Sequence, residues 1–132
     1  MRKLVYIASA SKGDRLLLRD FVEVLKASGF FIFAPGLGFH GLEETPEIRG
    51  RIMAVCSYAI LHSGVFVAFY EGVGSEGTWD EYQMAQVYRI PRAVFVSGPW
   101  KFDAKDNTVF RMTVDLIGWL DELQKDTSDT KG

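Results

Sequence analysis

Seven residues, Ser75-Glu76-Gly77-Thr78-Trp79-Asp80-Glu81, crowd three carboxylates and two hydroxyls into what reads as the start of a helix. They follow an apolar run, Val65 to Phe69, that reads as a strand. In open α/β sheets ligands bind in the crevice outside the carboxyl ends of the strands, so Glu81 stands where a bound molecule would meet it. The same spacing has a plainer meaning. Thr78-x-x-Glu81 fits a capping box, in which hydroxyl and carboxylate satisfy free amides at a helix start.

A second group follows the first apolar run. Ser9, Ser11, Lys12, Gly13 and Arg15 lie in a small, polar stretch that leads into a helix. Backbone amides and the helix dipole make such a place receptive to an anion, and a solvated turn is the alternative. The one cysteine, Cys56, excludes an internal disulfide framework and a multi-cysteine zinc site, and reads as a small buried hydrophobe. His62 suits acid–base work by its pKa but also suits a helix C-terminus, and His40 is placed as a lid residue over the site. Nothing in the sequence asks for a metal or a cofactor.

The elements that must hold these groups alternate in type. Lys3 to Ala8 reads as a first strand, and Arg15 to Ser28 as a helix whose Leu17, Phe21 and Leu25 form a stripe widened by Leu18 and Val22, with Gly29 as its stop. Phe30 to Ala34 is a continuous apolar run that predicts a strand buried on both faces. Gly36 to Leu42 carries three glycines and predicts a loop; without the strand-then-helix context it is no dinucleotide fingerprint. A second helix begins at Glu47, with Ile48, Ile52, Val55 and Ala59 on one face. After the Val65 to Phe69 strand come a helix over Thr78 to Tyr88 and a strand over Ala93 to Val96. A final helix is expected over Asn107 to Gln124, with Phe110, Val114, Ile117 and Leu120 as its stripe.

Such alternation predicts an α/β fold, a flavodoxin-like doubly wound parallel sheet of four to five strands with helices on both faces. The simplest order is 2-1-3-4, which brings the loops after strands one and three together. One domain spans 1–124, and the small polar residues of 125–132 predict a flexible tail.

Bulk composition narrows the partners. Of 132 residues, 48% are hydrophobic and 24% charged, with a net charge of -2, so no basic field exists for duplex nucleic acid and a small molecule is the expected ligand. No run of about 18 apolar residues spans a membrane. Met1-Arg2-Lys3 and the short run after it imitate a signal peptide, but the run is too short, and the expected compartment is the cytoplasm.

Several of these pieces together resemble the nucleoside 2-deoxyribosyltransferase family, whose members cleave the N-glycosidic bond between base and sugar. The resemblance covers roughly residues 3 to 110. It rests on Val5-Tyr6-Ile7-Ala8 in the first strand, Ala34-Pro35 after the second, Ser75-x-Gly77-Thr78-x-x-Glu81 after the third, and then Ala85, Ile90-Pro91 and Ala93 to Val96. It implies a catalytic Glu81 that attacks the anomeric carbon to form a glycosyl-enzyme ester, with Tyr6 orienting the nucleophile or the sugar. It implies that Gly77 and Asn107 contact substrate, Asn107 across a subunit interface, and hence a homodimer or higher homo-oligomer. A cap for the last helix is the plainer role of Asn107, and Trp79, Trp100, Trp119 and Phe102 are candidates for the contact surface.

Two departures qualify it. Ser75 stands where the transferases proper carry an aspartate, which resembles the branch of deoxynucleoside 5'-phosphate N-hydrolases, where such a serine contacts phosphate. A nucleotide substrate then assigns Ser9, Ser11, Lys12, Gly13 and Arg15 to its phosphate. The second helix also lacks the family's aspartate, reading Val55-Cys56-Ser57-Tyr58. Two rivals remain open at this level: a TIR-like NAD hydrolase, since those domains also place a serine six residues before a glutamate, and an inactive nucleotide-sensing module.

Overall fold

The computed structural model describes residues 3–10, 13–38, 45–72 and 76–129. Its strands are β1 (Leu4–Ser9), β2 (Phe31–Phe33), β3 (Val65–Tyr70), β4 (Arg92–Val96) and β5 (Val109–Phe110), all parallel, in the order β2-β1-β3-β4-β5. The helices are α1 (Arg15–Ala27), α2 (Pro35–Gly38), α3 (Pro46–Leu61), α4 (Glu76–Val87) and α5 (Thr113–Asp129). The doubly wound sheet expected from the sequence is therefore present, with a fifth strand added at the β4 edge.

Strand periodicity divides the core in two. Val5, Ile7, Val65, Val67, Phe69 and Phe95 point to the side covered by α1 and α5, where Leu18, Phe21, Val22, Leu25, Leu116 and Leu120 meet them. Tyr6, Ala8, Phe66, Ala68, Val94 and Val96 point to the other side and pack against Ile60 of α3 and Ala85 of α4. Central strands β1, β3 and β4 are buried on both faces, which is why their sequences read as unbroken apolar runs.

Local signals set the helix ends. Asp14 caps α1 by accepting from the Leu16 and Leu17 amides at 3.0 and 3.1 Å, and Gly29, with φ at 94°, follows it. Thr45 accepts from the Ile48 amide at 3.2 Å and Pro46 opens α3.

Four expectations need correction. The second strand is an edge strand of three residues and Phe31 is 60% exposed, so the apolar run there does not mean burial on both faces. Part of the glycine-rich segment, Pro35–Gly38, is a short helix; the remainder, His40 included, lies outside the described residues. Leu17 of α1, Val55 of α3 and Val114 of α5 are exposed, since counting in fours finds a stripe but not its edges. Residues Asn107 to Phe110 do not open the last helix. Val109 and Phe110 pair with Val94 and Phe95 instead, because the unpaired edge of β4 takes the β-branched Thr108-Val109 segment, with the Val94 amide donating to the Thr108 carbonyl at 2.8 Å. α5 runs on to Asp129. Among the described residues no helix is long and apolar enough to cross a membrane.

Candidate active site

The candidate site lies on the α3/α4 side of the sheet. Tyr6 sits mid-strand in β1, fully buried, level with Phe33 of β2 and Phe66 of β3 in the strand register. Its ring stacks on Phe66 at 5.4 Å and 9°, and tilts against Phe33 at 5.6 Å. Held so, its hydroxyl donates to Glu81 Oε2.

Glu81 comes from the second turn of α4. The helix starts at Glu76, so Thr78 lies inside it rather than at its cap, and the Glu81 carboxylate turns to Tyr6 rather than to an amide. The capping-box alternative is thereby overturned. Burial pushes the Glu81 carboxyl above its ordinary range, against the opposing pull of the Tyr6 hydrogen bond. The neighbouring carboxylates in the sequence are not the cause. Burial, and next the charge of Glu81, push the Tyr6 phenol far upward, so it stays a donor.

Cys56 completes the group. Its side chain is half-buried, packs on the cluster holding Tyr6, and lies beside the Tyr6 hydroxyl. Burial raises the Cys56 pKa, with the Tyr6 contact opposing, so the group stays a thiol. The sequence reading of Cys56 as a mere small hydrophobe missed this. Helical spacing held the signal, since Ile52, Cys56 and Ile60 recur every four residues and Ile60 is fully buried toward the sheet.

Among the described residues, the other expected ones make their contacts away from the Tyr6–Glu81 pair. Ser9 is on the opposite face from Tyr6 and Ala8, with its buried hydroxyl 2.4 Å from where a Cβ on Gly36 would stand. Arg15 directs its guanidinium to the Leu37 carbonyl at 3.3 Å. Gly13 packs under the Glu71 carboxylate. Gly77 is exposed in the first turn of α4. Ser11, Lys12 and Ser75 lie outside the described residues.

Asn107 caps no helix; its Oδ1 accepts from the Tyr82 hydroxyl at 2.5 Å, within its own subunit. Arg92 stands 5.6 Å over the Tyr82 ring, and burial raises the Tyr82 pKa while Arg92 opposes. His62 ends α3 with its amide donating to the Tyr58 carbonyl and its ring 4.2 Å from that of Tyr58. That end of α3 enters the amino end of β3, the far edge of the sheet, so His62 cannot serve Glu81. Of the tryptophans, Trp79 and Trp119 pack on Phe102 and Phe110, and Trp100 is 45% exposed. Among the described residues no three His, Cys, Asp or Glu side chains converge as a metal would require.

A half-buried carboxylate aimed by an un-ionised phenol can attack an electron-poor carbon or hold a cationic one. No family model matches the sequence, and no curated protein matches it. Solved structures do match. The 2-deoxyribosyltransferase of the psychrotolerant bacterium Bacillus psychrosaccharolyticus superposes with a TM-score of 0.73 at 17% identity, over 86% of this chain and 90% of its own. The CMP N-glycosidase BcmB of Clostridium botulinum gives 0.60 at 15% identity, over 90% of this chain and 99% of its own. A 2-desoxiribosyltransferase from Leishmania mexicana gives 0.53 at 15% identity, over 73% and 65%. The chain therefore has the 2-deoxyribosyltransferase fold, as the sequence resemblance implied.

Proposed function

We propose that the protein cleaves the N-glycosidic bond of a nucleoside or of its 5'-monophosphate through a covalent glycosyl–Glu81 intermediate. The observation that carries this reading is the contact between Tyr6 and Glu81. Tyr6 holds one carboxylate oxygen, which leaves the other to attack C1' of the sugar. As the Oε–C1' bond forms, the C1'–N bond breaks and its electron pair leaves with the base, which is protonated on departure. Water, or a second base, then attacks C1' and releases the carboxylate.

Environment supports the assignment. Taking a carboxylate out of water raises its energy as an anion, which favours its conversion to a neutral ester, while the Tyr6 donor keeps it ionised enough to act. Cys56 packs beside the Tyr6 ring in this scheme and helps to close that side of the site to water. The names of the similar structures, a deoxyribosyltransferase and a nucleotide N-glycosidase, share the same bond.

The test is incubation with a panel of deoxynucleosides, ribonucleosides and their 5'-monophosphates, with free base read by chromatography. Wild type is expected to release base, and Glu81→Gln to lower the rate about a thousandfold or more. Base release that survives in Glu81→Gln would remove Glu81 from the mechanism. Saturable binding with no release by wild type would favour a sensing module instead.

A further inference from the structure

A helix on the surface of a sheet carries charge on its outer side, and α1 does so, with five charged residues among thirteen. Helix α3 does not. From Ile52 to Leu61 it runs ten residues without a charge. Its inner side packs on the cluster holding Tyr6 through Ile60, Cys56 and Ala59. Its outer side leaves Met53 64% and Tyr58 67% exposed, with Ala54, Val55 and Leu61 exposed beside them. A helix that is apolar all round belongs in an interior, and a continuous exposed apolar patch marks an interaction surface.

The outer side also has a register. Gly50, Ala54, Ser57 and Leu61 recur at intervals of four, three and four residues, which lines them along one stripe opposite Ile52, Cys56 and Ala59. That spacing is the seam along which two helices pack side by side. One end of the stripe is a gap and the other a knob. Gly50 weakens the helix relative to alanine, yet a Cβ there would meet nothing within 4 Å, so no contact among the described residues asks for a glycine. When a second α3 lies antiparallel about a two-fold axis between Ala54 and Ser57, Leu61 of each copy enters the gap at Gly50 of the other, Ala54 meets Ser57, and Met53 meets Tyr58. A parallel pair would set gap against gap and Leu61 against Leu61.

We propose that the outer face of α3 is an interaction surface for α3 of a second copy of this chain, packed antiparallel with Leu61 of one copy over Gly50 of the other. Size and charge agree with that occupant. A stable interface takes about 800 Å² from each partner, about a tenth of the 8295 Å² surface of this chain. Helix α3 is about 24 Å long, and beside α4 it forms a face about 20 Å wide. The apolar stripe of α3 is the centre of that face, and Asp80 and Gln83, exposed on α4, supply a polar rim. Because the stripe is uncharged, two copies of a chain of net charge -2 meet there without bringing like charges into contact.

Sedimentation of the whole chain tests this without reference to turnover. Wild type is expected to be dimeric at about 10 μM. Ala54→Glu places a charge beside the two-fold axis in both copies and should raise the dissociation constant about a hundredfold or more. It should still melt cooperatively, since residue 54 is exposed. Gly50→Leu fills the gap and should also weaken the dimer, although leucine favours the helix more than glycine does. Register is read separately by oxidation, with wild type as the control for Cys56. Gly50→Cys combined with Leu61→Cys should cross-link two copies, whereas Leu61→Cys alone should not; the two positions lie about 16 Å apart along one helix, too far to bridge within a chain. A monomeric wild type, or a dimer that either seam variant leaves unweakened, overturns the proposal. Equal cross-linking by Leu61→Cys alone overturns the antiparallel register, and a monomer whose α3 face is covered by a different protein overturns the second copy as its occupant.

Discussion

Glu71 and Glu81 flank the same short passage from β3 into α4, and burial raises the pKa of both, yet their partners make them different chemical objects. Glu71 meets a backbone amide, a donor that cannot move or titrate, over a glycine that leaves it room. Glu81 meets a phenol held between two other rings, which aims one oxygen and leaves the other available. One carboxylate is consumed by the fold and the other is held ready by it. Residue type alone does not separate a structural anion from a reactive one; the donor opposite does.

Three changes would break or sharpen that contrast. The largest effect is expected from Tyr6→Phe, which keeps the stacking but removes the donor to Glu81. Turnover should fall by about ten- to a hundredfold, within the range of one positioned hydrogen-bonding group. Losing a donor to the charged form raises the pKa of Glu81 further, so the acidic limb of the rate profile should move to higher pH. A pH–rate profile with an unmoved acidic limb would detach Tyr6 from the nucleophile.

Gly13→Ala tests the other member of the pair. The new methyl displaces the Glu71 carboxylate from the Asp14 amide, for a loss of about 1 kcal/mol in urea unfolding. In a Glu71→Ala background the same change should cost much less, because the two residues share one space. Equal costs in both backgrounds would show that Glu71 does not fill the loop.

The smallest effect is expected in the stability of Glu81→Gln. A carboxyl whose folded pKa is raised favours folding when protonated, so its contribution is fully present below the unfolded value of about 4.3 and is lost as pH rises through the folded value. The glutamine cannot ionise. It should therefore melt higher than wild type at neutral pH by roughly a few degrees, with the gain vanishing as the pH falls toward 4. A difference independent of pH would mean that burial does not penalise the Glu81 anion.

The sequence made the frame legible because β1, β3 and β4 are buried on both faces and their apolar runs are long enough to stand out. It exposed Tyr6 and Glu81 too, one by its place in the first strand and the other by its place after the third. It did not reveal β5, since a two-residue strand is defined by the edge it pairs with and not by a pattern of its own. It did not reveal what Gly13 makes room for in the fold, because a glycine beside serines and a lysine looks the same whether it makes way for a phosphate or for the Glu71 carboxylate. Cys56 escaped for a related reason. A lone thiol has no signature until Tyr6 is seen beside it.

The packed rings of Phe33, Tyr6 and Phe66 have a thermodynamic consequence. A tyrosine on an open surface would sample many orientations, and the carboxylate it holds would sample them with it. Here the register of three strands fixes the phenol as soon as the sheet forms. The orientational entropy of the Glu81 carboxylate is thus lost once, during folding, and a molecule that binds against it meets a group already aimed.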